Sequence, residues 1–170
     1  FFGNERAMKG GLGSFAVEVG DLKVGAIVAV NCLGDVIDPS TGEILAGLLD
    51  ESGEVLIGTE DVLTNLYREK KNIFSGNTTI GVVATNGKFT KPEANKLASM
   101  AHNGYGRTMR PAHSIFDGDT IFTMATGKVD ADINVVGLLA ARTMELAVIN
   151  AVKSANSLGG FKTYGSLRRS

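Results

Sequence analysis

Apolar and β-branched residues dominate from Phe15 to Val19 and again from Lys23 to Val30, with Gly20-Asp21 between them. That pattern predicts a hairpin with a Gly-Asp turn. Asp38-Pro39-Ser40-Thr41-Gly42 reads as a loop and Glu51-Ser52-Gly53-Glu54 as a turn. Val62, Leu63, Leu66 and Tyr67 recur at helical spacing, which predicts a short amphipathic helix over residues 60–71. The nearly all-apolar run from Thr79 to Thr85 has the signature of a strand buried on both faces. A helix start follows: Thr90 can cap, Glu93 sits three residues later, and Pro92 is tolerated in a first turn. Ala94, Leu97, Ala98 and Ala101 make its packed face, and Gly104 is its expected stop. Thr120 to Thr126 reads as another buried strand, and Ile133 to Val152 as a long helix, apolar on most sides and therefore central. No internal repeat, low-complexity segment or linker divides the chain. The order predicts a single α/β layered domain over residues 1–170, and the small residues on its helices predict close helix–sheet packing.

At 170 residues the chain is long enough to bury a core. Its 44% hydrophobic and 21% charged composition is that of a globular protein. A net charge of −1 gives no electrostatic reason to expect a nucleic acid or an anionic membrane as partner. The single Cys32 rules out an internal disulfide, which suits a cytoplasmic protein. By pattern no apolar run reaches transmembrane length, and no basic-then-apolar leader opens the chain. It begins instead with Phe1-Phe2-Gly3-Asn4, which reads as a fragment, a processed product or an engineered piece, and Leu167-Arg168-Arg169-Ser170 reads as a cloning tail.

Chemistry concentrates in a few places. In Ser75-Gly76-Asn77-Thr78-Thr79 a small polar turn runs into a strand, presenting the Thr78 hydroxyl beside the Asn77 carbonyl. If that bond breaks, Thr78 carries both a nucleophile and an adjacent amine base, the logic of an N-terminal-nucleophile hydrolase. The other reading of Asn-Thr is an ordinary turn, and Thr79, facing the opposite side of the strand, reads as structural. Asn31 ends an apolar strand, where its amide can donate to an oxyanion or simply form a turn before Gly34-Asp35. Asp117 and Asp119 flank Gly118; in an extended chain both carboxylates share one face and can orient the Thr78 amine or hydroxyl, whereas Asp-Gly by itself marks a turn. Lys9 precedes Gly10-Gly11-Leu12-Gly13, but without Walker spacing. His102 and His113 do not fall at metal-ligand spacing, so neither a metal nor an organic cofactor is expected. His102, late in its helix, suits the helix dipole, and a triad of Ser114, His113 and Asp117 is disfavoured because adjacent residues seldom converge.

Three ordered blocks carry a family resemblance. Asn77 to Ala84 resembles the autocleavage segment of the DmpA-like aminopeptidases, which include L-aminopeptidase/D-esterase, β-aminopeptidase and the nylon-oligomer hydrolases. Val28-Ala29-Val30-Asn31-Cys32-Leu33-Gly34-Asp35-Val36 is similar to the family's strand ending in a catalytic Asn. Arg110 to Thr120, followed by Phe122 to Gly127, is similar to its acidic motif in the nylon-hydrolase form. The match runs from about Lys9 to Leu158. It implies an αββα sandwich shared with ornithine acetyltransferase, here with its N-terminal part apparently missing. It further implies self-cleavage between Asn77 and Thr78 into residues 1–77 and 78–170, with Thr78 as nucleophile and Asn31 as oxyanion donor. Lys9, Asp117 and Asp119 would set proton transfers. The implied substrates are small peptides, amides or esters, and the implied assembly is a homo-oligomer of processed α/β pairs. An acyltransferase of the ornithine acetyltransferase type and a non-catalytic truncated assembly domain are the competing readings.

Overall fold

The computed structural model describes residues 3–69 and 76–168. A 3-10 turn, Asn4–Arg6, leads into β1 (Leu12–Val19), β2 (Leu22–Ala29), β3 (Asp35–Ile37), β4 (Ile44–Ala46) and α1 (Thr59–Arg68). There follow β5 (Ile80–Gly87), α2 (Lys91–Thr108), β6 (Met109–Arg110), β7 (Thr120–Val129), α3 (Ile133–Lys153) and α4 (Tyr164–Leu167). Residues 70–71 of the expected first helix and Ser75 of the polar turn lie outside the described residues, as do Arg169 and Ser170.

The main sheet runs β1-β2-β5-β7. β1 and β2 form the predicted hairpin, closed at Gly20, whose φ of 61° suits glycine in the turn. β2 pairs antiparallel with β5, from Val24–Thr85 to Ala29–Ile80, and β5 pairs parallel with β7 across the α2 crossover. A small second sheet, β4-β3-β6, has no counterpart in the sequence reading, because its strands are only two or three residues long.

One face of the main sheet carries α2 and α3. Val24, Val28 and Val83 point into a core shared with Leu97, Ala101 and Tyr105 of α2 and Met144, Ala147 and Val148 of α3. The close packing expected from small residues is present: Gly13 lies against the backbone of Ala147 and Ala151, so any Cβ there would overlap α3. Both helix starts are built locally. Glu93 accepts hydrogen bonds from the Thr90 N–H (2.8 Å) and hydroxyl (2.7 Å), and Asp132 accepts from the N–H groups of Asn134 and Val135.

Three expectations need correction. Gly104 does not stop α2, which continues to Thr108; a Cβ at residue 104 would meet the Ala141 carbonyl oxygen at 2.6 Å, so this glycine marks a helix crossing. β5 is buried on one face only, and β7 is buried only at Ile121. Ile27, Ile80, Phe122 and Met124 all point to the opposite face, where no described element covers them, and Phe122 and Met124 are 58% and 62% exposed. Finally, α3 is long and apolar enough to cross a membrane by length and composition, although most of it is buried against α2 and the sheet. An apolar helix inside a protein passes the same length test as a membrane span. Within the described residues the architecture is thus one large sheet and one helical layer of the α/β fold.

Candidate active site

Thr78 sits where the chain joins the main sheet, just before β5. Its N–H donates to the Asn31 carbonyl (3.1 Å), which ties the end of β2 to the mouth of β5. Its hydroxyl donates to the Asn77 carbonyl oxygen at 2.7 Å. The same oxygen accepts the Gly118 N–H at 2.8 Å, so the carbonyl of the Asn77–Thr78 bond holds two donors. Asn77 is fixed from both sides: its N–H reaches the Phe116 carbonyl (3.2 Å), and its side-chain amide reaches the Cys32 carbonyl (3.4 Å). Together these bonds make Asn77 and Asp117 a one-residue parallel extension of the β5–β7 ladder. Gly118 is a residue the sequence reading treats only as a spacer. A Cβ on it would lie 2.5 Å from the Thr78 hydroxyl oxygen, and the tight Asp-Gly-Asp tripeptide facing Asn-Thr is the signal that could have exposed it.

Lys9, Asn31 and Asn77 share the wall of a cleft of about 620 Å³, together with apolar Met8, Leu33 and Phe161. Lys9 is held by its backbone N–H on the Lys162 carbonyl (2.8 Å), while its ammonium lies 3.3 Å from the Gly10 carbonyl. Asn31 presents an exposed side chain, its backbone carbonyl being used by Thr78. The two aspartates do not line this cleft. Asp117 turns back to accept the Ser114 N–H (3.0 Å), whereas Asp119 accepts the Thr79 N–H (2.9 Å). Thus Asp119 grips the peptide that follows Thr78 rather than the Thr78 hydroxyl itself. Burial pushes the Asp119 carboxyl up, against the Thr79 hydrogen bond, and the charge of Asp117 adds to the rise. Thr79 is fully buried, and its hydroxyl has no hydrogen-bond partner.

Two other residues acquire roles that their spacing conceals. Asp35 is buried and accepts from the Leu48 N–H and from both the N–H and the hydroxyl of Thr59, which fastens β3 to the start of α1. The Cys32 thiol is pushed up to about 12, first by burial and then by the Asp119 charge, so it is a poor nucleophile at neutral pH. Among the described residues no group of three or more His, Cys, Asp or Glu is arranged to hold a metal ion.

Lys9 and the Asn31 amide share one cleft with Asn77, whose carbonyl oxygen holds the Thr78 hydroxyl and the Gly118 N–H; Thr78 itself does not line that cleft. Comparison with known proteins gives a family. The sequence model of peptidase family S58 matches residues 4–165. The chain is 37% identical over 175 residues to an uncharacterized aminopeptidase of Mycobacterium leprae, covering 92% of this chain and 48% of that protein. It is 25% identical to a 6-aminohexanoate-oligomer endohydrolase of Kocuria sp., covering 84% of this chain and 44% of the relative. Its fold superposes on the L-aminopeptidase D-Ala-esterase/amidase of Ochrobactrum anthropi, a variant of the Ntn hydrolase fold, with a TM-score of 0.62 at 20% identity. That superposition covers 96% of this chain and 48% of the other. The chain therefore spans about half the length of the curated relatives it matches. With the Asn77–Thr78 geometry set into an Ntn-type fold, and with a family match running almost from end to end, this chain belongs to peptidase family S58.

Proposed function

We propose that the chain carries the nucleophile half of a self-processing Thr aminopeptidase or amidohydrolase. The observation that supports this most directly is the Asn77 carbonyl, with the Thr78 hydroxyl at 2.7 Å and the Gly118 amide at 2.8 Å on its oxygen. In processing, the Thr78 oxygen attacks the Asn77 carbonyl carbon and surrenders its proton as the C–O bond forms. The carbon–nitrogen bond then breaks, its nitrogen takes up a proton, and an ester remains. Water hydrolyses the ester, leaving an Asn77 carboxylate and a free amine on Thr78. The Asn31 carbonyl, which already holds the Thr78 N–H, would keep that amine in place.

In turnover the amine is the general base. An unperturbed α-amine titrates at about 7.7–8.0, so roughly a fifth to a third of it is the neutral base near physiological pH. Thr78 attacks the substrate carbonyl, the amine passes the hydroxyl proton to the departing nitrogen, and water releases the acyl group. Asn31 stabilises the oxyanion; one such donor contributes about 2.7–4 kcal/mol in the transition state. Lys9, on the same cleft, adds positive charge near the developing negative charge. The candidate substrates are the N-terminal residues of short peptides and, by similarity to the Kocuria relative, ω-amino acyl amides. Assembly into an oligomer of processed pairs and a cytoplasmic location belong to the same proposal.

The test is the intact mass of the denatured protein beside a Thr78→Ala control. Fragments of residues 1–77 and 78–170, absent from the control, are the expected result. A single uncut species in both would remove the reading.

A further inference from the structure

Asp119 is the one member of the site whose two carboxylate oxygens face different partners. Its Oδ1 takes the Thr79 N–H, the amide immediately after the candidate nucleophile. Its Oδ2 is buried without a hydrogen bond and lies 3.6 Å from Nδ1 of His113. The Asp119 side chain is only 3% exposed, whereas that of His113 is 41% exposed. A group in contact with solvent therefore abuts a carboxylate that is not.

His113 is also the only non-glycine among the described residues with a positive φ, 57°. Histidine visits that region more often than most residues, but the conformation is uncommon enough to need a reason. Here it aims the ring at Asp119 from the loop that also carries Asp117. The groups around the pair come from three directions. From α2, His102 meets the His113 ring edge-on at 4.9 Å, and Tyr105 lies fully buried with its hydroxyl unpartnered. Asp117 adds like charge from the same loop, and Cys32 faces the pair from the segment after β2.

We propose that His113 is a positioning residue that keeps Asp119 ionised, so that Asp119 grips the Thr78–Thr79 peptide and makes Thr78 chemistry sensitive to pH. This rests on the reading of Thr78 as the nucleophile and adds a residue to it. Ionisation of Asp119 is opposed first by burial and then by Asp117; it is favoured by the Thr79 amide and by the charge of His113 and, less strongly, of His102. Of the two imidazoles, His102 is pushed down by burial and by its neighbour, and His113 is the one whose Nδ1 lies 3.6 Å from the Asp119 carboxylate. The sign follows. Removing His113 raises the pH at which Asp119 protonates, and the peptide grip is lost earlier on acidification.

The experiment compares wild type, His113→Asn, Asp119→Asn and the double variant in self-cleavage rate between pH 4.5 and 8.5. Asn tolerates positive φ, so the first variant removes the imidazole without refolding the loop. The expected result is an acid limb moved up by about one pH unit in His113→Asn, or about a tenfold slower cleavage on that limb. The substitution should have no further effect in the Asp119→Asn background. Superimposable profiles for wild type and His113→Asn would overturn the proposal while leaving the Thr78 reading standing. Should wild type prove uncut at every pH, the Thr78 reading fails and the proposed control of cleavage falls with it. Denaturant unfolding of Thr78→Ala, with and without His113→Asn, then judges the ion pair separately: a larger loss at pH 5.5 than at pH 8.5 is expected, and equal losses would overturn it.

Discussion

A methyl group on residue 118 would sit 2.5 Å from the Thr78 hydroxyl oxygen and 3.5 Å from its Cβ and Cγ2. Gly118→Ala is therefore expected to push the hydroxyl off the Asn77 carbonyl and slow self-cleavage by about 10²–10³, the scale of losing one well-aimed contact at a reacting carbonyl. The rate is followed by fragment mass against time. In a Thr78→Ala background the same substitution meets no hydroxyl, and its cost in stability should be small. At this scale the sequence points to the candidate reacting groups better than to the candidate supports. Thr78, Asn31 and Lys9 announce themselves through type and neighbourhood. Asp119 announces its charge but not its partner, because the Thr79 amide lies 40 positions away and is brought to it by the parallel β5–β7 register. Gly118 acts through its backbone N–H and through the lack of a side chain. His113 acts through a left-handed backbone. Residue type reports none of these.

Among the elements, hydrophobic pattern places both long helices and the four principal strands; α2, α3, β2 and β5 bury a regular face, whereas β1 and β7 carry apolar runs that stay largely exposed. It misplaces the end of α2, since a glycine after a helical run has two uses that the pattern does not separate. At Gly104 the use is contact: the Ala141 carbonyl oxygen and the Glu145 nitrogen lie 2.6 and 2.9 Å from where a Cβ would go. Gly104→Ala gains up to about 1 kcal/mol in helix propensity. It loses about 1–3 kcal/mol to overpacking, because the obstructing atoms are backbone and yield poorly. Loss should prevail, and urea unfolding should show a lower midpoint at unchanged slope. The short strands β3, β4 and β6 escape any periodic reading, and Asp35 supplies what holds that small sheet to α1.

At the scale of the whole molecule, one sheet face is closed by α2 and α3 while the other displays Leu12, Ile27, Ile80, Phe122 and Met124. A contiguous apolar face of this kind marks an interaction surface. The 170-residue chain alone should bind an environment-sensitive hydrophobic dye in its folded state, and replacing both Phe122 and Met124 with Thr should lower that signal without loss of helix content by circular dichroism. An unchanged signal would place the dye elsewhere. The sequence hides this face because an apolar run describes a strand's demand for cover and not whether the same stretch of chain meets it.

The register between β2 and β5 has one more consequence. The Asn77–Thr78 bond lies between these two strands in the chain, while α3, far downstream, packs on β1 and β2. Scission there would leave two interleaved pieces joined by a sheet ladder and a helix interface, and folding would change from a unimolecular to a bimolecular equilibrium. The melting temperature of the cut protein should then rise with protein concentration, whereas that of Thr78→Ala should show no dependence from this source. Dilution alone would thus report whether one covalent bond has been exchanged for a chemical potential.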